Sequence, residues 1–371
     1  MTSTDLAPAR LTAAIIGTGR IGSSLERDPL RTKPHTHAGW YVSHPHILLM
    51  SGADTNAEAL AAFGEQWDIP ASRLYRAYPR MLAEVRPDLV SICAYAPERV
   101  EMALAALDAG VRGLWLEKAV ATSIASGRAL REAAAARGVS VVVNHPRRQD
   151  PHYRAVARLI ADGTLGPLES IHAVFSGHLI HTGTHAWEVL DTWCGPWAEV
   201  RAWPDLPSTD GPFGDRPHAG REGRRETLPT TLPTTGAEDI GGRVHVRFAN
   251  GVDAFVSGGR KSYFVFQFDL IFARGRVLLG NDVNQVFVTG ASPRYAGFVE
   301  LVPSGALEGP GGAPLVTVLA DAVRDRGGDL TSLDAAIRAL ALGVAAVQAA
   351  ATPGLAVTPA TVDASLVVAS V

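Results

Sequence analysis

The chain is poor in several features that would have pointed elsewhere. Only two of its 371 residues are cysteine, Cys93 and Cys194. Two can form one bridge but no disulfide framework, so a reducing cytoplasm is the expected setting. Lysine is hardly used and the net charge is only −3. A chain so balanced gives no reason to expect nucleic acid or an anionic membrane as a partner. The first ten residues are polar and lack the apolar core of a signal peptide. No uninterrupted apolar run approaches the roughly 18 residues of a membrane span, and no internal repeat is visible. What remains is an ordinary globular composition, 47% hydrophobic and 19% charged, long enough for two domains with sizeable cores.

The informative stretch is Ala13-Ala14-Ile15-Ile16-Gly17-Thr18-Gly19-Arg20-Ile21-Gly22. An apolar run of strand length meets glycines spaced G-x-G-x-x-G. Gly17 allows a tight turn, Gly19 removes a side chain where a pyrophosphate must sit, and Gly22 permits close packing. Amide groups and a helix dipole there favour negative charge. A second strand, Ile47 to Met50, leads to Asp54. An acidic residue in that place suits a ribose 2′-hydroxyl and repels a 2′-phosphate, which favours NAD over NADP. Gly17 and Asp54 lie 37 residues apart, where about 20 is usual. Thr36 to Pro45 has the cap and apolar spacing of the expected first helix, so the surplus is Ser23 to His35. Either Arg27, Arg31 or Lys33 of this insert reaches phosphate or substrate, or the segment is a solvated loop.

Strands and helices then alternate as far as Asn144-His145. This predicts an α/β Rossmann domain, a doubly wound parallel sheet, over residues 1–148. At Asp150-Pro151 the pattern changes to a capped helix followed mainly by strands, with hairpin signals at Asn250-Gly251 and Arg274-Gly275. Residues 149–371 are therefore expected to form an α+β domain with an open, mainly antiparallel sheet. Such a sheet needs cover on both faces, so a homodimer or homotetramer is expected. A proline-rich loop over 203–237 reads as a lid, an arm or a disordered insertion. Leu315 to Arg324 and Leu333 to Ala350 read as closing helices, the second apolar enough to be buried.

With the glycine turn, Leu116-Glu117-Lys118 and Gly183-Thr184-His185 followed by Glu188 in view, the chain resembles the Gfo/Idh/MocA oxidoreductases, relatives of glucose-fructose oxidoreductase and inositol dehydrogenase. The resemblance runs from Ala13 to about Val357. It implies hydride transfer between NAD(P) and a secondary alcohol or ketone of a small polyhydroxylated, sugar- or cyclitol-like substrate. By the same resemblance Lys118 and His185 are catalytic, and Gly17, Thr18, Gly19, Arg20, Ile21, Gly22, Asp54, Tyr95, Glu117 and Lys118 bind cofactor. His181, Asn144, Arg148 and Glu188 are the implied substrate-binding residues. The chain departs from the family pattern in four places. Ala119 stands where the family has proline after Glu-Lys, and His181 where it often has aspartate. Glu188 replaces the commoner aspartate, and Tyr95 replaces a frequent proline.

The residue types suit that chemistry. Oxidising a secondary alcohol needs a base for the hydroxyl proton and a stabiliser for the developing alkoxide. His185 is the best base, because the unperturbed pKa of histidine lies near operating pH. Thr184 reads as a helix N-cap, and Ala186, Val189, Leu190 and Trp193 form one apolar stripe. His185 then lies in a first helical turn, where the dipole disfavours imidazolium and Glu188 one turn on opposes it. Lys118, ending an apolar strand, supplies an ammonium to the reacting oxygen. Glu117 is placed to hold Lys118 or the nicotinamide ribose. Arg147 and Arg148 suit either an acidic or phosphorylated substrate or an interdomain salt bridge. Two rival readings remain: a non-catalytic dinucleotide-binding sensor, and a metal cluster of His178, His181, His185 and Glu188. Gly183 argues against the second by interrupting the helix that would align His181 with His185. No metal is expected.

Overall fold

A computed structural model describes residues 10–205, 236–259, 261, 263–325 and 327–369. They fall into two compact units. Unit 1 comprises the described residues up to Ala121, Ser126–Asn144 and Ala313–Ala336. Unit 2 comprises Thr122–Ala125, His145–Gly312 and the chain from Ile337 onward. Both cysteines are free thiols.

Unit 1 begins with β1 (Leu11–Ile16), α1 (His37–Ser43), β2 (Ile47–Ala53), α2 (Ala57–Trp67) and β3 (Leu74–Tyr75). It continues through α3 (Tyr78–Val85), β4 (Leu89–Ile92), α4 (Ala96–Asp108), β5 (Gly113–Leu116), α5 (Ile124–Ala136) and β6 (Ser140–Val143). The strands form one sheet in the order β3-β2-β1-β4-β5-β6, every neighbour parallel. Every residue of β4, β5 and β6 is buried. A parallel sheet covered on both faces requires this, and it is why these strands read as unbroken apolar runs. The order reverses between β1 and β4. In doubly wound sheets ligands bind beyond the carboxyl ends of the strands at that point.

Between β1 and α1 the chain leaves its path at Gly22 and rejoins it at His37. The N–H groups of His37 and Ala38 donate to the Ile21 and Gly22 carbonyls, each at 3.0 Å. Glu26 closes this excursion, its carboxylate accepting from the N–H groups of His35 and Thr36 and from the Thr36 hydroxyl. Burial alone pushes the Glu26 carboxyl up, but the bonds from Thr36 and His35 outweigh it and hold it below its ordinary value. The three cations of the insert serve its own architecture. Arg27 donates to the Ala62 carbonyl of α2, Arg31 to Asp28 and His35, and Lys33 to the Asp28 carbonyl. The loop reading of the insert is the one the structure supports.

Unit 2 holds α6 (Pro151–Asp162), β7 (Leu168–Ser176), α7 (Gly183–Cys194), β8 (Trp197–Pro204), β9 (Gly236–Glu238), β10 (Gly242–Phe248) and β11 (Asp253–Gly259). After these come β12 (Phe266–Phe272), β13 (Gly275–Gly280), β14 (Asn284–Ala291) and β15 (Val299–Gly305). Eight strands form a sheet in the order β15-β14-β13-β12-β7-β11-β10-β8, antiparallel except where β11 runs parallel to β7. Alternation along β12 buries Phe266, Phe268, Leu270 and Phe272 against the side that carries Tyr153 of α6 and Trp193 of α7. The loop expected over 203–237 is shortened at both ends, by β8 and β9. Residues 206–235 lie outside the described residues.

The chain ends with α8 (Leu315–Arg324), α9 (Thr331–Ala351) and β16 (Val367–Ala369). The expected boundaries, 1–148 and 149–371, need correction here. The first unit gives up its chain after Asn144, and 313–336 belongs with it. Leu315, Val316, Leu319, Ala320 and Val323 of α8 are buried in the same core as Leu89, Trp115 and Val142. A parallel sheet needs helices on both faces, and α8 supplies apolar cover over β5 and β6. By length and composition α9 is apolar enough to cross a membrane, yet 72% of its most apolar window is buried inside the fold. In unit 2 its Gly343 has no room for a side chain beside Ile180 and Trp187.

Candidate active site

In unit 1 the glycine turn is built as its spacing requires. Gly17 has φ +89°, and a Cβ there would lie 3.0 Å from the backbone of Cys93 and Ala94. A Cβ on Gly22 would fall 2.1 Å from the Gly17 carbonyl oxygen, so that position admits no larger residue. Around Gly19 the reverse holds: a Cβ would meet nothing within 4 Å. Among the described residues, the N–H groups of Gly19, Arg20, Ile21 and Gly22 have no acceptor in the chain. Donors without an acceptor among the described residues, with open space at Gly19, suit an anion.

Asp54 follows β2, as expected, and does two things. One carboxylate oxygen accepts from the Thr18 N–H at 2.8 Å and from the Thr18 hydroxyl at 3.2 Å. The other accepts from the Asn56 N–H at 2.7 Å. Asp54 thereby pins the glycine turn, while Asn56 caps α2 by accepting from Glu58 and Ala59. Tyr95 sits at the N-terminus of α4, after β4, and is 64% exposed. The turn and Asp54 fit an adenine dinucleotide: a cradle for pyrophosphate and an acidic group at the ribose position.

Glu117 lies at the end of β5 and is buried. It accepts from His37 Nε2 at 3.1 Å and from the Asn144 amide. His37, in the first turn of α1, bonds Ser91 through Nδ1 at 2.9 Å and packs on Trp115 with ring centroids 4.0 Å apart. Ser91 donates to the Tyr41 hydroxyl. Burial pushes the Glu117 carboxyl up, but His37, Asn144 and the Lys118 ammonium outweigh it and bring it down to about 2. Asn144, expected to touch substrate, spends its amide donor on Glu117 instead. Glu117, expected to hold Lys118 or a ribose, is held by His37 and Asn144, with Lys118 contributing charge.

In unit 2, α7 carries His185 near its start. The helix begins at Gly183, not after a Thr184 cap. The cap position is Thr182, whose side chain makes no capping bond. Thr184 is buried, and its hydroxyl meets His145 Nε2 at 3.2 Å. Gly183 is the first residue of the helix, so His181 lies outside it, and a Cβ on Gly183 would lie 3.0 Å from Phe175 and Trp187. The His185 ring stands edge-on to two others, His145 at 5.5 Å and Phe266 at 6.5 Å between centroids. The preceding loop is clamped by Asp239, which accepts from the Ile180 and His181 N–H groups at 2.8 and 2.7 Å. The His181 side chain is exposed.

Glu188 and Arg148, both expected to bind substrate, bind each other at 3.1 Å. Glu188 is only 1% exposed. Burial drives its carboxyl up to about 7, with Asp191 adding to the rise and Arg148 and Thr192 opposing it. The arginine pairing is therefore within unit 2. Among the described residues, no three histidine, cysteine, aspartate or glutamate side chains are grouped as metal ligands would be.

Residues 11–145 match the model of a family described as an oxidoreductase family with an NAD-binding Rossmann fold, GFO_IDH_MocA. Over that stretch the chain is similar to the Gfo/Idh/MocA oxidoreductases. D-apiose dehydrogenase of Paraburkholderia graminis is 31% identical over 153 residues, 39% of this chain and 40% of that protein. Inositol 2-dehydrogenase of Paracoccus denitrificans is 30% identical over 164 residues, 44% of this chain and 45% of that protein. The chain thus matches less than half the length of these curated relatives. The WlbA dehydrogenase of Bordetella pertussis, solved with NADH and UDP-GlcNAcA, has a TM-score of 0.68 to this chain at 17% identity. That similarity covers 94% of this chain and 98% of the other, and it is a likeness of fold.

Set against that family, the departure at Ala119 has a visible counterpart. Arg99 of α4, 3% exposed, donates to the carbonyls of Ala119 and Ala94. The segment that carries Lys118 is gripped by a buried guanidinium where the Gfo/Idh/MocA pattern would place a proline. Burial lowers the Arg99 pKa to about 10, against the nearby Glu117 charge. Sequence reasoning missed Arg99, His37 and Asp239. For Arg99 a signal existed: it falls on the inward stripe of α4 with Ala96, Ala103 and Ala106, where an isolated charge is unusual.

Proposed function

We propose that the protein is an NAD-preferring dehydrogenase or reductase acting on a secondary alcohol or ketone of a sugar- or cyclitol-like substrate. The observation that carries this is the glycine turn, where four N–H groups have no acceptor among the described residues and Gly19 is open, with Asp54 bonded to Thr18 of the same turn. Gly17 to Gly22 would hold the pyrophosphate and Asp54 the adenosine ribose, where its charge disfavours a 2′-phosphate. When bound, the nicotinamide supplies the hydride acceptor or donor.

The chain's own residues handle the proton. His185 takes the hydroxyl proton in oxidation and returns it in reduction, its ring flanked by His145 and Phe266. Lys118 stabilises the developing alkoxide as an ammonium. Glu117, ionised through the neutral range, favours the charged form of that lysine. His181, exposed in the turn before the helix that carries His185, contacts a substrate hydroxyl without bringing a fixed negative charge of its own.

We further infer a cytoplasmic homo-oligomer, a homodimer or homotetramer. The free thiols support the compartment. The outer face of the eight-stranded sheet, with Trp203 and Phe255 nearly half exposed, supports the assembly. A panel of polyols and sugars assayed with NAD and with NADP tests the activity. Production of reduced nicotinamide, faster with NAD, is expected. Tight NAD binding with no turnover across the panel would replace the enzyme by a dinucleotide sensor.

A further inference from the structure

Of the two adjacent arginines after β6, one is paired with a carboxylate and, among the described residues, the other is not. Arg148 is committed to the buried Glu188. Arg147 is half-buried and, among the described residues, has no carboxylate within salt-bridge distance. Its guanidinium lies over the face of Phe266, 3.7 Å from the ring centroid. Phe266 is the same ring that flanks His185. The two distances bound the separation of guanidinium and imidazole to about 10 Å, within the reach of a six-carbon substrate and its terminal group. Tyr153 completes the setting. Burial raises its hydroxyl pKa, while the charge of Arg147 and a hydrogen bond with it pull the other way.

A guanidinium stacked on an aromatic face is fixed in plane but keeps the donors on its edge for a second partner. A carboxylate accepts two of those donors side by side, and a phosphate can do the same. A cation that has no carboxylate within salt-bridge distance among the described residues, and that shares a flanking ring with the proton-handling histidine, is suited to meet that charge on the substrate.

We propose that Arg147 anchors an anionic group of the substrate, so that the preferred substrates are sugar acids or sugar phosphates rather than neutral polyols. This rests on the reading of His185 as the proton-handling residue of an oxidoreductase. The geometry is that of unit 2 alone: Phe266 sets the guanidinium plane and Tyr153 steadies it.

The test compares kcat/KM for D-gluconate, D-glucuronate and D-glucose 6-phosphate with that for D-glucose and myo-inositol, each with NAD and NADP. The expected wild-type result is at least a tenfold preference for anionic substrates. Whether the two acids or the phosphate leads identifies the group. In Arg147→Gln the ratio of anionic to neutral kcat/KM should fall by about 10- to 100-fold, the range for one charge-assisted contact. Arg147→Lys, which keeps the charge but loses the planar fork, should fall in between and decides the matter should the glutamine variant not fold. Equal use of neutral and anionic substrates by the wild type overturns the inference and leaves the oxidoreductase reading intact. So does an undiminished preference in the folded variants. Absence of turnover on every substrate, with NAD bound, overturns the oxidoreductase reading itself and this inference with it.

Discussion

Replacing Glu117 by glutamine should cost stability at neutral pH and almost none near pH 2. The carboxylate is buried, accepts from His37 at 3.1 Å and from Asn144, and lies near the Lys118 ammonium. Burial by itself would push the group up; its neighbours outweigh burial and bring it from 4.5 to about 2. A folded-state value below the unfolded one means that the native state prefers the ionised form. The stabilisation is therefore full above pH 4.5 and is lost as the pH falls toward 2. At 1.36 kcal/mol per pKa unit the gap between the two values is worth about 3 kcal/mol. The assay is urea unfolding of wild type and Glu117→Gln at intervals from pH 2 to 8, followed by tryptophan fluorescence, to which Trp115 beside His37 contributes. The deficit of the variant should grow from near zero at pH 2 to about 3 kcal/mol by pH 5 and then stay level. A deficit independent of pH, or one that grows on acidification, would refute the reasoning.

Glu188→Gln should show the opposite dependence. Its carboxyl is raised by burial to about 7, so wild type loses up to about 3 kcal/mol relative to the variant as the pH rises from 4.5 to 7, read from the same unfolding series. Arg99→Met leaves the Ala94 and Ala119 carbonyls without their donor. It should lower stability by about 3 kcal/mol and kcat more than tenfold, measured by denaturant unfolding and steady-state kinetics. Asp54→Ala should weaken NAD about 10- to 100-fold and shrink the preference over NADP, as measured by calorimetric titration of both dinucleotides.

Much of unit 1 was legible because its chemistry is local. A glycine turn needs no knowledge of what lies far away in sequence, and strands buried on both faces announce themselves as apolar runs. The same holds for Asp150, which caps α6 by accepting from His152 and Tyr153 as its spacing suggests. Legibility failed where the decision is tertiary. An amphipathic helix such as α8 presents the same stripe whichever core it fills, so its place on the parallel sheet could not be read from the stripe. Strands β14 and β15 are half-buried or exposed along their length, and without a buried face there is no clean alternation to detect. The pairing of Arg148 with Glu188 joins residues 40 positions apart, and that of His37 with Glu117 joins residues 80 apart. His37 was visible only as part of a helix, although its burial beside Glu117 ties the insert-bearing segment to the lysine strand.

The central claim is hydride transfer to a nicotinamide with His185 and Lys118 handling the proton and the alkoxide. The most direct measurement uses a substrate from the panel deuterated at the reacting carbon, with mass analysis of the NADH formed by wild type, Lys118→Ala and His185→Ala. The account predicts one deuterium in the wild-type NADH, and label transfer slowed at least about 100-fold in each variant while NAD still binds. Unlabelled NADH from the wild type, or either variant transferring deuterium at the full rate, would contradict it.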